Sequence, residues 1–229
     1  GIDEIREVLQ NKTTALAGPS GVGKSTIARL LADKLKYTYI DTGAMFRSLA
    51  VFYIDNGADA EDKETVTELT SKVKLGIEYI DGVQHMFVNG KDVTDRLRTE
   101  TVSRTASVTS QYPEVRSMLL DMQRAIAKQQ NVIMDGRDIG TVVLPDATLK
   151  VFLTASAKVR AERRFRQLSE TGKLEGATFE SILKDLEERD YRDSHRETAP
   201  LKAAEDAMLI DTSDMSIEEV ENAIMKELP

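Results

Sequence analysis

The stretch Gly18-Pro19-Ser20-Gly21-Val22-Gly23-Lys24-Ser25-Thr26 carries the spacing Gly-x-x-x-x-Gly-Lys-Ser, the pattern whose backbone wraps the phosphates of a nucleotide. A triphosphate is small and densely charged, so its donors must converge. Backbone N–H groups converge only where side chains stay out of the way, and Gly18, Gly21 and Gly23 meet that need. Lys24 sets a point charge against the β- and γ-phosphates, Ser25 offers a hydroxyl to Mg²⁺, and the N-terminus of the following helix adds its partial positive charge. The flanks agree with this reading, because such a loop must follow a strand and open a helix. Thr13 to Ala17 predicts a short strand, and Ile27, Leu30, Leu31 and Leu35 fall at helical spacing after Ser25.

Composition bounds the rest. The 229 residues suit one domain with an appendage, a size that buries roughly 70% or more of the unfolded surface without a disulfide or metal staple. The chain has no cysteine, which removes disulfides, thiolate metal sites and cysteine nucleophiles together and fits a reducing compartment. The charged start, Gly1 to Glu7, lacks the apolar run of a signal peptide, and no stretch approaches ~18 uninterrupted apolar residues; a cytoplasmic protein without a membrane partner is expected. A formal net charge of −8 repels nucleic acid, so any anion must be captured by local arginines.

Along the chain, Tyr37 to Ile40 predicts a second strand, and Asp41-Thr42-Gly43 turns into an apolar helix ending at Asn56-Gly57. Residues 58–72 are strongly charged. Leu75 to Ile80 and Val83 to Val88 predict strands joined at Asp81-Gly82, and Asn89-Gly90 opens another turn. Two tight hairpins do not belong in a parallel sheet with crossover helices, so residues 60–100 are read as an inserted subdomain. A polar helix follows around 100–110, then a break at Pro113 and a helix from Glu114 to Lys128. The apolar strand Asn131 to Asp135 ends in the aspartate that usually accompanies a phosphate loop near Mg²⁺. Leu149 to Thr154 and Met208 to Asp211 are further strands, and Ser216 caps the closing helix.

The other candidate ligand groups fall at strand ends and on two helices. Arg47 lies one turn beyond Gly43, Arg137 and Asp138 follow the strand ending at Asp135, and Arg116 begins the helix after Pro113. Arg189, Arg192 and Arg196 share one helix face with Asp193 beside them. Arginine grips phosphate bidentately and keeps its charge, so this face reads either as a second phosphate site or as a solvated helix with internal ion pairs. Arg160, Arg163 and Arg164 recur on another helix before a loop holding Gly172 and Gly176, which reads either as a lid closing over a transferring phosphoryl group or as a plain surface helix. Neither His85 nor His195 is needed.

These stretches together resemble the bacterial cytidylate kinases, in the long form with an enlarged nucleoside-monophosphate insert. Gly18 to Thr26, Asp41 to Arg47, Asp135 to Thr141 and Arg189 to Arg196 carry the match in the family's order, with Ser107 and Pro113 to Arg116 as a base-recognition stretch. The resemblance implies an α/β P-loop three-layer fold with a five-stranded parallel sheet. The core would span 1–59 and 101–229, with a small β-containing insert at 60–100 and a short helical lid at about 156–176. It implies phosphoryl transfer from ATP to CMP or dCMP with Mg²⁺, by a monomer. Gly18 to Thr26 would bind ATP, and Ser25 the metal, with Asp135 acting through water. Thr42, Arg47, Arg137 and Arg196 would hold the acceptor phosphate; Ser107, Arg116 and Asp138 would read cytosine; Arg189 with Asp193 would reach the sugar. Lys24, Arg160, Arg163 and Arg164 would stabilise the transferring group. Two positions depart from the family pattern: Ala17 stands where aspartate is common, and Thr42 where serine is frequent.

Overall fold

The computed structural model describes residues 12–172, 174 and 176–228; the charged start, and Lys173 and Glu175 of the expected lid, lie outside them. In chain order the strands are β1 (Thr13–Ala17), β2 (Thr38–Asp41), β3 (Leu75–Ile80), β4 (Val83–Val88), β5 (Lys91–Asp92), β6 (Val132–Gly136), β7 (Leu149–Thr154) and β8 (Met208–Asp211). The helices are α1 (Lys24–Leu35), α2 (Thr42–Asp55), α3 (Lys63–Thr70), α4 (Glu100–Thr109), α5 (Pro113–Ala127), α6 (Ala157–Glu170), α7 (Phe179–His195) and α8 (Ile217–Met225). The chain divides into two compact units, Gly1–Tyr39 with Gln130–Pro229, and Ile40–Gln129.

The first unit is built on the five-stranded sheet, order β2-β6-β1-β7-β8. β1 runs parallel to β6 and β7, and β7 parallel to β8. Thr13–Ala17 has one half-buried residue followed by four buried ones, the pattern of a strand covered on both faces. Leu16, Ile133, Val151, Leu153 and Ile210 from the sheet pack with Ile27, Ala28 and Leu31 of α1 and Val220 and Ile224 of α8. Each large apolar side chain hidden this way contributes about 1.5–3 kcal/mol. Parallel register then brings the carboxyl ends of the strands to one edge: Ala17 lies opposite Gly136 and Phe152, and Thr154 opposite Asp211. Ligands bind at that edge in such sheets.

Gly18 leaves β1 at φ +142, and a Cβ there would sit 2.1 Å from the Leu153 carbonyl oxygen. No other residue could start the loop so close to β7. Beyond β6, Ile139–Val143 form a π-helical turn in which the Val142 and Val143 amides both donate to the Asp138 carbonyl, at 2.9 and 3.2 Å.

In the second unit β3, β4 and β5 form an antiparallel sheet, as the two hairpin turns predict. Asp81 and Gly82 both take positive φ, 51 and 75, the backbone of a type I′ turn. α2, capped by Asp41 through the Ala44 amide, buries Met45, Leu49 and Tyr53. The Tyr53 hydroxyl meets Thr70 Oγ1 at 2.7 Å, which fastens α3, an element the sequence reading did not identify. On the hairpin, His85 Nδ1 lies 2.9 Å from Asp92.

Candidate active site

Lys24 is the first residue of α1 and is buried, its ammonium donating to the Pro19 carbonyl at 2.6 Å. Burial, then Arg137, pushes its pKa down to about 7; Asp135 opposes them, Arg189 lowers it further and Asp193 raises it. The structure thus gathers Lys24, Asp135, Arg137, Arg189 and Asp193 in one electrostatic neighbourhood, within the first unit. The loop itself is braced from behind. Arg160 donates to the Ser20 carbonyl at 3.1 Å, and Thr212 to the Val22 carbonyl at 3.3 Å.

Asp135 is buried near the end of β6. Ser25 Oγ donates to its Oδ2 at 2.7 Å, and the Tyr39 hydroxyl to its Oδ1 at 3.0 Å. A hydroxyl and a carboxylate side by side are hard oxygen donors, suited to Mg²⁺, which takes one or two protein ligands and completes its octahedron with phosphate oxygens and water. Among the described residues no group of three or more His, Cys, Asp or Glu could cage a metal.

Arg137, Arg189, Asp193 and Arg196 come together where α7 ends near the β6 edge. Arg137 Nε donates to Asp193 Oδ2 at 2.9 Å; Arg196 lies 3.9 Å from the other oxygen of Asp193 and 3.8 Å from Asp138. Burial alone would raise the Asp193 carboxyl, but Arg137, Arg189 and Arg196 outweigh it and hold the group below its ordinary range. A depressed carboxyl stabilises the fold above its unfolded value of ~3.9, and that contribution is lost as pH falls through the lower folded value. Asp193→Asn is therefore expected to be less stable than the parent at pH 7, with the gap shrinking as the medium is acidified below ~4. Urea midpoints across that range test this, and a pH-independent gap would contradict it.

The three arginines of α6 take different partners. Arg160, only 4% exposed, donates to the Ala155 carbonyl at 2.9 Å and to Asp190 at 2.6 Å, besides Ser20. Arg163 donates to the Thr212 hydroxyl and carbonyl, and exposed Arg164 to Gln167. α6 and α7 are separated by residues 171–178, where Gly172 and Gly176 take positive φ. His195 stacks on Tyr191, ring centroids 4.0 Å apart.

Within the second unit, Thr42 opens α2 and is buried. Arg47, one turn on, donates to Asp41 at 3.0 Å while its Nε is buried and bonds to no described residue. Ser107 Oγ, near the end of α4, is likewise buried without a hydrogen bond to any described residue. An unsatisfied buried polar atom costs ~1–3 kcal/mol; Thr67 Oγ1 and Glu114 Oε2 of the same unit are buried in the same way. Arg116 donates to the Ser110 carbonyl at 3.0 Å and lies 5.5 Å from the centroid of the Phe46 ring, which keeps its guanidinium close to the α4 end that carries Ser107.

Sequence reasoning missed Tyr39, Asp190 and Thr212, and gave Asp41 no role beyond its motif. Asp41 alone had a local signal, an aspartate directly before a helix.

The family model "Cytidylate kinase" matches residues 14–229. A protein named cytidylate kinase from Caldicellulosiruptor bescii is 45% identical over 212 residues, 93% of this chain and 93% of that one. Another so named, from Carboxydothermus hydrogenoformans, is 46% identical over 206 residues, 90% of this chain and 92% of its own. Among solved structures, an uncharacterized protein from Eubacterium ventriosum superposes with a TM-score of 0.52 at 11% identity, covering 94% of this chain and 96% of that one, a likeness of fold.

Proposed function

We infer the working of the site from one premise: the chain belongs to the cytidylate kinase family. It is a nucleoside monophosphate kinase that transfers a phosphoryl group from ATP to CMP or dCMP, giving ADP with CDP or dCDP. The observation that supports the placement of the chemistry is the buried Lys24 at the foot of the phosphate loop, in the field of the arginines gathered on Asp193. Such an array favours an incoming polyanion, because each phosphate oxygen relieves the mutual repulsion of the cations.

The acceptor's phosphate oxygen is already anionic at neutral pH, so the reaction needs no strong base and no covalent intermediate; alignment and charge stabilisation carry it. ATP lies on Gly18 to Thr26. Ser25, with Asp135 through water, would hold Mg²⁺, which when bound would supply countercharge to the triphosphate. Lys24 faces the β- and γ-phosphate oxygens. Arg160, Arg163 and Arg164 add positive charge on the side of the transferring group. In the first unit Arg137 and Arg196 grip the acceptor phosphate, Asp138 reads the base, and Arg189 with Asp193 takes the sugar. In the second, Thr42 and Arg47 bind phosphate, and Ser107 and Arg116 bind cytosine. Residues 60–100 serve as the acceptor-side insert on a core of 1–59 and 101–229. A net charge of −8 suits a monomer in the cytoplasm that handles small nucleotides rather than nucleic acid or anionic membrane. Among the described residues no helix is long and apolar enough to cross a membrane.

The test is ADP formation from Mg·ATP with CMP, dCMP, UMP and AMP offered separately. CMP and dCMP should be preferred. Asp138→Ala should erode that preference while leaving ATP affinity within a few-fold of the parent, since losing a hydrogen bond to a base costs ~1–3 kcal/mol. ATP binding without turnover of any acceptor would instead make the chain a nucleotide-dependent switch.

A further inference from the structure

Tyr39 reaches the Asp135 carboxylate near the end of β6, and the proposed reaction gives it no task. Its ring lies in β2, and its hydroxyl donates to Asp135 Oδ1 at 3.0 Å. The opposite oxygen of the same carboxylate receives Ser25 Oγ at 2.7 Å. Both carboxylate oxygens are thus engaged, one from each neighbouring element, which fixes rotation about the Cβ–Cγ bond. The ring is steadied in turn by Arg29, whose guanidinium lies 5.3 Å from its centroid. Arg29 stands four residues after Ser25 on α1, so the helix that supplies the hydroxyl also holds the tyrosine.

We propose that Tyr39 is the positioning residue that aims Asp135 at the metal of the bound nucleotide. The inference rests on the reading of Ser25 and Asp135 as the metal side of the site. When Ser25 turns a lone pair toward a cation, its proton can remain on Oδ2, and Tyr39 keeps Oδ1 where it was. The carboxylate then meets a metal-bound water without reorganising. A phenol suits this role because it donates from a rigid ring with few rotamers to freeze. Outer partners of this kind typically contribute tenfold to a hundredfold in metal affinity.

The experiment is calorimetric binding of ADP, with Mg²⁺ and with EDTA, to the wild type, Tyr39→Phe, Asp135→Asn and the double variant. Phenylalanine keeps the ring under Arg29 and removes only the hydroxyl. The gain in ADP affinity that Mg²⁺ confers should fall ~tenfold in Tyr39→Phe, affinity in EDTA should stay at the wild-type value, and the tyrosine change should add nothing in the Asp135→Asn background. Equal weakening with and without Mg²⁺ would make Tyr39 a packing residue and overturn the proposal, as would an unchanged Mg²⁺ gain or a tyrosine effect that persists in Asp135→Asn. If Asp135→Asn itself leaves the Mg²⁺ gain intact, the metal-side reading fails instead.

Discussion

Replacing Lys24 with alanine is expected to lower the rate of ADP formation with CMP by ~10³-fold or more while leaving the free protein as stable as the parent, or more so. The two halves of that expectation have one cause. Lys24 is buried with Arg137 and Arg189 acting on it, and its pKa is pushed down to about 7 from 10.5. The folded protein therefore disfavours the charged ammonium at neutral pH and below, and removing it relieves a cost rather than a support. The hydrogen bond given up is the one to the Pro19 carbonyl, on a loop also braced by Arg160 and Thr212, and the attraction of Asp135 and Asp193 is already outweighed by burial and the arginines. With ATP bound the balance inverts, because the triphosphate supplies the countercharge that the apo site lacks. A residue that weakens the empty fold and serves only the charged complex is the usual signature of a site under functional constraint. Steady-state kinetics and a thermal midpoint on one preparation decide the matter. Activity within tenfold of the parent would remove Lys24 from the chemistry, and lost activity with a collapsed midpoint would make it a structural residue.

Much of the fold was legible because the deciding signals are local. The turns at Asp81-Gly82 and Asn89-Gly90 take positive φ in every one of their four residues, and a chain written with Asp-Gly and Asn-Gly announces such turns. β3 and β4 consequently run over the expected residues, and β7 and β8 do so as short apolar runs. α3 was hidden for the opposite reason. Only Val66 and Thr70 of its eight residues are buried, a stripe too narrow to stand out in a charged run, although Asp62 caps it through the Thr65 amide. Pro113, read as a break, is the first residue of α5, where its missing N–H has no partner to lose.

The phosphate loop could be read because its residues are consecutive and the loop's shape follows from its glycines. Its supports could not. Arg160 and Asp190 are 30 residues apart, and Tyr39 and Asp135 are 96 apart; no periodicity links positions on different helices or strands. The arginines of α6 show the limit most clearly. By spacing they form a single face, yet Arg160 is buried against the loop, Arg163 is committed to Thr212, and Arg164 is exposed. What a guanidinium touches is decided by the tertiary fold, and the sequence supplies only the reach of its side chain.

Arg137→Lys is expected to reduce kcat/KM for CMP by ~100-fold, with KM for ATP changed little, although the substitution preserves the charge. Arg137 uses Nε to hold Asp193 at 2.9 Å, which leaves the two Nη groups to face an anion in a fixed plane. Lysine has one nitrogen for both tasks. If its ammonium stays with Asp193 it no longer grips the phosphate, and if it follows the phosphate it leaves a buried carboxylate with fewer donors. Either loss belongs to the class of a broken buried charge pair, ~2–5 kcal/mol, and the retained charge places lysine at the lower end. Asp193 would keep Arg189 and Arg196 as neighbours, so the fold should survive. The effect should appear in the acceptor terms alone, because Arg137 acts on Lys24 through the field, which lysine largely reproduces. Saturation curves for CMP at fixed ATP, and for ATP at fixed CMP, separate these contributions. Equal losses on both curves would mean that Arg137 maintains the phosphate loop, and wild-type values on both would mean that a point charge suffices and the planar fork has no part in holding the acceptor.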